Sequence, residues 1–119
     1  MRVDTRPRHR NAGRPPEKSA LGFLQWLRGR PCILARTGEC RGKVRACHVD
    51  YAGDKGASTK VSDRYAVPMC DGHHAEQHRG WKTFEAKHRL NCLAMAGEFW
   101  RLWPGRRAWE SKFQSTEGE

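Results

Sequence analysis

The nine residues 70–78, CDGHHAEQH, hold three of the chain's six histidines and one of its five cysteines. Imidazole and thiolate are the softer of the common metal ligands, so the cluster points first to an ion. Successive helical residues turn by about 100°, which puts His74 and His78 on one face, within reach of a single ion. His73 faces elsewhere. It follows Cys70 by three residues, the spacing at which one turn of chain gives two ligands to a tetrahedral zinc. The cluster therefore divides into two half-sites that do not compete: Cys70 with His73, and His74 with His78.

Each half-site needs a complement. For Cys70 and His73, the stretch CILARTGEC offers Cys32 and Cys40, although the loop between them is longer than the usual ligand spacing. Cys47 competes for the fourth position, and burial of these thiols without any metal is the plain alternative. For His74 and His78, the informative dipeptide is Cys47–His48. It lies in a β-like piece, 43–49 (KVRACHV), followed by turn chemistry (DYAGDKGASTKVSD) and a second β-like piece, 64–69 (RYAVPM). The segment HHAEQHR is helix-compatible until Gly80 stops it. A hairpin running into such a helix brings His48 or its neighbour across from His74 and His78.

The flanking segments must hold this unit in place. Ser19 is placed to cap a short helix through ALGFLQWLRGR, with Leu21, Leu24, Trp26 and Leu27 as its apolar stripe and Gly29 and Pro31 as its end. Thr83 opens a longer helix ending before Pro104, with Ala86, Leu90, Leu93, Ala96, Trp100 and Trp103 three or four apart. His88 faces away from that stripe and reads as a surface residue. Cys92 reads as a core thiol or an exposed spare. Residues 1–18 carry six basic side chains and three prolines with almost nothing apolar, which reads as a disordered basic arm in which His9 has no role. The end, ESKFQSTEGE, reads as a frayed acidic tail over 110–119. One domain, 19–109, lies between them.

The stretch ACHVDYAGDKGASTKVSDRYAVPMCDGHHAEQHRG resembles the HNH, or ββα-metal, endonucleases, and within them the phage-type subgroup of recombinase-dependent nucleases. The shared positions are Lys60, Ser62, Asp63, Pro68, Cys70, His73, His74, His78 and Gly80, and the resemblance covers residues 31–84, just under half the chain. It implies an α+β fold in which a small zinc-stabilised ββα-metal domain is flanked by helices. It implies His48 as general base, His74 and His78 as ligands of a catalytic Mg2+, Mn2+ or Zn2+ ion, and Cys32, Cys40, Cys70 and His73 as ligands of a structural Zn2+. Two positions depart from the family pattern. Cys47 stands where the family usually has Asp or His as an extra ligand to the catalytic ion. The family's middle Asn has no counterpart, and Asp63 is the nearest polar candidate to orient the base or its loop.

The chain has 119 residues, 23 Lys and Arg against 13 Asp and Glu, a net charge of +10 and an apolar share of 37%. That is one domain with a lean core, for which a metal can compensate. The charge suits a polyanion, nucleic acid before acidic membrane. Lys60, Arg64, Arg79 and Lys82 surround the expected site and are candidates for phosphate contacts. DNA is the expected partner, with a recombinase–DNA filament implied by the resemblance as its context. An odd cysteine count, no opening signal segment and no spanning apolar run indicate a reduced cytoplasmic setting without a membrane. The aromatic segment FWRLWPGRRAW raises self-association, so monomer and homodimer both stand. The activity expected is a DNA endonuclease or nickase. The alternatives are a non-catalytic zinc-stabilised nucleic-acid-binding module and a small phage regulator that binds a host protein.

Overall fold

The computed structural model describes residues 14–52 and 60–117, with side chains through Phe113. Among the described residues the fold is mixed α+β, with a two-stranded sheet and five α-helices. Strand β1 (Val44–His48) pairs antiparallel with β2 (Ala66–Cys70), in a register that sets Val44 opposite Cys70 and His48 opposite Ala66. The hairpin expected from the two β-like pieces is therefore present. Every residue of β2 is buried, as befits a strand covered by helices. Pro68 has no N–H to donate, yet its carbonyl accepts from Ile33 N at 3.0 Å, which ties the Cys32 loop to the strand.

Helix α1 (Leu21–Arg28) packs on the hairpin. Its buried stripe is Phe23, Leu24 and Leu27, whereas Leu21 is 73% exposed. The expected Ser19 cap is not made: the Ser19 hydroxyl turns to the Arg14 carbonyl, and the Asp63 carboxylate takes the Ala20 N–H at 2.8 Å. A long-range acid thus holds the N-cap residue Ala20, while the first turn of α1 has no side-chain cap. Helix α2 (Asp71–Gln77) follows β2 directly, with Cys70 as its N-cap and Gly80 stopping the chain just beyond it.

The long helix expected from Thr83 to Pro104 is two helices, α3 (Trp81–His88) and α4 (Cys92–Leu102). Arg89 takes a left-handed backbone (φ 57°), and the Asn91 side chain caps α4 by accepting the Ala94 N–H at 3.0 Å. The apolar spacing runs straight through this break, which is why periodicity alone misses it. Pro104 ends α4 as expected. Helix α5 (Arg106–Glu117) occupies the stretch read as a frayed tail, and the Trp109 indole N–H donates to the Ser19 carbonyl at 2.6 Å.

Two apolar clusters result. One joins Leu34, Val49, Val67, Met69, Phe84 and Ala96 beneath the hairpin. The other joins Phe23, Leu27 and Ala66 to Trp100, with Trp103 and Trp109 against it. The aromatic segment that raised self-association is thus used within the chain: Phe23 meets Trp100 edge-on at 5.0 Å and Trp100 meets Trp109 at 5.2 Å. No helix among the described residues is long and apolar enough to cross a membrane. Residues 1–13, most of the basic arm, lie outside the described residues. Its end does not hang free: Arg14 donates to the Val61 carbonyl, and Pro16–Lys18 form a 3-10 turn.

Candidate metal centre and adjoining cleft

Cys70 closes β2 and caps α2, so its Sγ sits over the first helical turn and accepts the His73 N–H at 3.4 Å. The 32–40 loop comes to meet it. Cys32 Sγ accepts the Leu34 N–H at 3.4 Å, a 3-10 turn spans Ala35–Thr37, and Gly38 (φ 74°) reverses the chain toward Cys40. His73 Nδ1 then lies 3.2 Å from Cys70 Sγ and 3.7 Å from both Cys32 Sγ and Cys40 Sγ. All four ligand atoms lie within 4.8 Å of one another. A tetrahedral zinc with Zn–S near 2.3 Å and Zn–N near 2.1 Å requires ligand edges of about 3.6–3.8 Å, so this quartet can hold a metal such as zinc. The enlarged loop between Cys32 and Cys40 does not prevent its ends from meeting.

The thiols are already differentiated. Burial works to raise the Cys70 pKa, but N–H groups of His73 and Arg41 and the Cys40 and His73 side chains stabilise its thiolate and bring it down to about 6. Cys40 is pushed up to about 12, by burial first and then by hydrogen bonds and repulsion from Cys32 and Cys70. Around the quartet, His88 packs edge-on to His73 at 5.7 Å and pairs through Nε2 with Glu76 at 3.0 Å. His88 is therefore part of the packing around the centre and not the free surface residue expected. Cys92 is a fully buried core thiol.

The second half-site forms an open cleft of about 310 Å3 lined by Ala46, Cys47, His48, Asp50, His74, Gln77 and His78. The hairpin register and α2 thus bring His48 to the same cleft as His74 and His78. The His74 and His78 rings lie 4.6 Å apart, centroid to centroid. Burial, followed by the charge of His78, lowers the His74 pKa and favours the neutral imidazole that a metal requires.

His48 Nε2 is 2.9 Å from Asp63 Oδ1. Asp63 is 1% exposed, with its second oxygen on the Ala20 N–H and Arg14 Nε 3.4 Å from the first. Burial would raise its pKa; the His48 and Ala20 hydrogen bonds and the charges of His48 and Arg14 overcome this and hold it below 3.8. A buried carboxylate on Nε2 fixes the proton there and leaves Nδ1 as the basic nitrogen.

Cys47 lines the cleft beside His74 and His78, with its Sγ 3.6 Å from Gln77 Oε1; burial, then the Asp50 charge, pushes its thiol up to about 12. Of the four cations read as phosphate contacts, Arg64 stacks over Trp100 at 5.1 Å and Tyr65 at 5.8 Å, on the aromatic side of the fold. Arg79 and Lys82 are exposed just beyond His78, and Lys60 is half-buried, its carbonyl accepting from Lys18 Nζ at 3.3 Å. None of the four lines the cleft. Sequence reasoning missed Gln77, Asp50 and Arg14. Gln77 was findable, being three residues after His74 on the same helical face, whereas nothing local links Arg14 to Asp63.

The model of the family described as "Protein of unknown function (DUF968)" matches residues 2–99. The chain belongs to that family. No curated protein and no solved structure matches it.

Proposed function

We propose that this DUF968 protein is a metal-dependent DNA endonuclease or nickase of the HNH type, built on a structural zinc at Cys32, Cys40, Cys70 and His73. The supporting observation is that His48, paired with the buried Asp63 behind it, lines one cleft with His74 and His78. A module that used every histidine for folding would have no need of a carboxylate-oriented imidazole beside two more that are not in the sulfur quartet.

In this reading His48 Nδ1 takes a proton from water as the water oxygen attacks phosphorus. The bond from phosphorus to the 3′ oxygen breaks, and the departing oxygen receives a proton from solvent, leaving a 5′ phosphate and a 3′ hydroxyl. Asp63 stays ionised and stabilises the imidazolium. A divalent ion on His74 and His78 would supply Lewis-acid stabilisation of the charge on phosphate and leaving group. The test is nicking of supercoiled plasmid with Mg2+, Mn2+ or Zn2+. Wild type should nick, while His74→Ala and His78→Ala should not, yet both should retain zinc. Absence of metal-dependent cleavage by wild type would favour the non-catalytic zinc-stabilised nucleic-acid-binding module.

A further inference from the structure

Glutamine usually sits at the surface, yet Gln77 is 7% exposed. It lies on the α2 face that carries His74 and His78 and lines the cleft with them, His48 and Asp50. The Cys47 thiol, reaching across from β1, donates to its Oε1 at 3.6 Å. In this arrangement the oxygen end of the amide faces the thiol, and the NH2 end has no hydrogen-bond partner among the described residues. Trp100 Nε1 and Arg106 Nε are the buried side-chain atoms without a partner there. Gln77 Nε2 is not among them, and Gln77 is part of the cleft lining, so the NH2 end is open to the cleft and not sealed in the core. A methionine would fill the same volume without any donor; the amide instead keeps two N–H groups available to an acceptor in the cleft.

We propose that Gln77 Nε2–H donates to a non-bridging oxygen of the scissile phosphodiester, and that Cys47 is the positioning residue that aims it. This rests on the nuclease reading above. Charge on those oxygens is what a fixed donor in a partly dry cleft stabilises best. The inference adds a substrate contact to a site otherwise made of a base and two imidazoles.

The experiment uses the full chain, with zinc content and melting measured first on every variant. Gln77→Met keeps volume and removes the donors; it should lower kcat by roughly 10²-fold with zinc and melting unchanged. Gln77→Glu keeps shape and places a carboxylate against the phosphate, so it should also raise KM for DNA. A phosphorothioate of each configuration at a mapped cleavage position gives a readout that packing does not move. Sulfur at the contacted oxygen should slow wild type in one configuration, and Gln77→Met should lose that discrimination. Cys47→Ser should keep most of the rate and Cys47→Ala should not. Should Gln77→Met fail to fold, Gln77→Glu and the paired phosphorothioates carry the test. Wild-type rates in Gln77→Met or a folded Gln77→Glu, or sulfur effects unchanged by substitution, would overturn the proposal while leaving the nuclease reading intact. A wild type that does not cleave would remove both.

Discussion

Two adjacent pairs of residues, Cys47–His48 and His73–His74, divide the chemistry between neighbours, and this division can be tested one side chain at a time. His48→Ala removes the proposed base without touching the sulfur quartet, so nicking should fall by about 10²–10⁴-fold while zinc content and melting hold. Asp63→Asn should be nearly as damaging. If its NH2 faces Nε2, the ring proton moves to Nδ1 and the base is lost. Asp63 also carries a pH signature. Its folded pKa is held below the ordinary 3.8, so ionised Asp63 contributes stability above that value, which is lost as pH falls through the folded pKa. The Asn variant should therefore melt lower than wild type at neutral pH, and the gap should narrow as pH falls toward the folded pKa, as melting over the pH range in which zinc stays bound would show. Equal melting at neutral pH would remove Asp63 from its proposed part in holding the start of α1. The histidine and cysteine spacing made the Cys32, Cys40, Cys70 and His73 quartet legible in the sequence, and the gathering of His48, His74 and His78 at one cleft with it. The partner of His48 was legible only as the nearest polar candidate, because its distance and its second role at Ala20 are properties of the folded chain.

At the scale of elements, the candidate metal centre is built where the 32–40 loop meets the end of β2 and the first turn of α2, which the Ile33–Pro68 and Gly72–Arg41 backbone bonds also hold together. Structural zinc in small domains is worth about 10–16 kcal/mol of apparent folding energy, as large as the whole net stability of a typical domain. Chelation should therefore unfold the domain, and His73→Ala should do the same where His74→Ala does not. A cooperative melt unchanged in excess chelator, with no zinc bound, would contradict this. The turn leading into β1 offers a milder test. Gly42 has φ 80°, and a Cβ there would stand 2.6 Å from Asp71 Cβ, at the start of α2. Gly42→Ala combines a strained backbone with that overlap and should cost about 1–3 kcal/mol, read as a lowered denaturation midpoint with zinc retained. The hairpin and the His-bearing helix were readable because turn chemistry brackets them. The split between α3 and α4 was not, since Asn91 acts as a cap only once Arg89 has turned left-handed, and the apolar spacing gives no hint of either.

For the molecule as a whole, the lean apolar share read from the sequence finds its explanation in two modest clusters, one under the hairpin and one made largely of tryptophan and phenylalanine, with the quartet between loop, strand and helix. Helix α5 was missed because its hydrogen-bond partner Ser19 is remote in sequence and its composition resembles a tail. The net charge of +10 is the other global property, and it bears on binding more than on cleavage. Each phosphate neutralised by Lys or Arg releases counterions, so log affinity for duplex DNA should fall with log salt at about −0.9 per contact. With six contacts, affinity would drop about 10³-fold between about 50 and 200 mM salt. His48→Ala should show the same slope as wild type, because an imidazole that serves as base adds no phosphate charge pair. Residues 1–13 contain Arg2, Arg6, Arg8 and Arg10, so their removal should make the slope shallower, by up to about 3.6 if all four engage phosphate. Fluorescence anisotropy with a labelled duplex across a salt series, on wild type, His48→Ala and the truncated chain, reads all three. A flat salt dependence in wild type would mean that the charge serves some other partner, and an unchanged slope after truncation would confine DNA contact to residues 14–119.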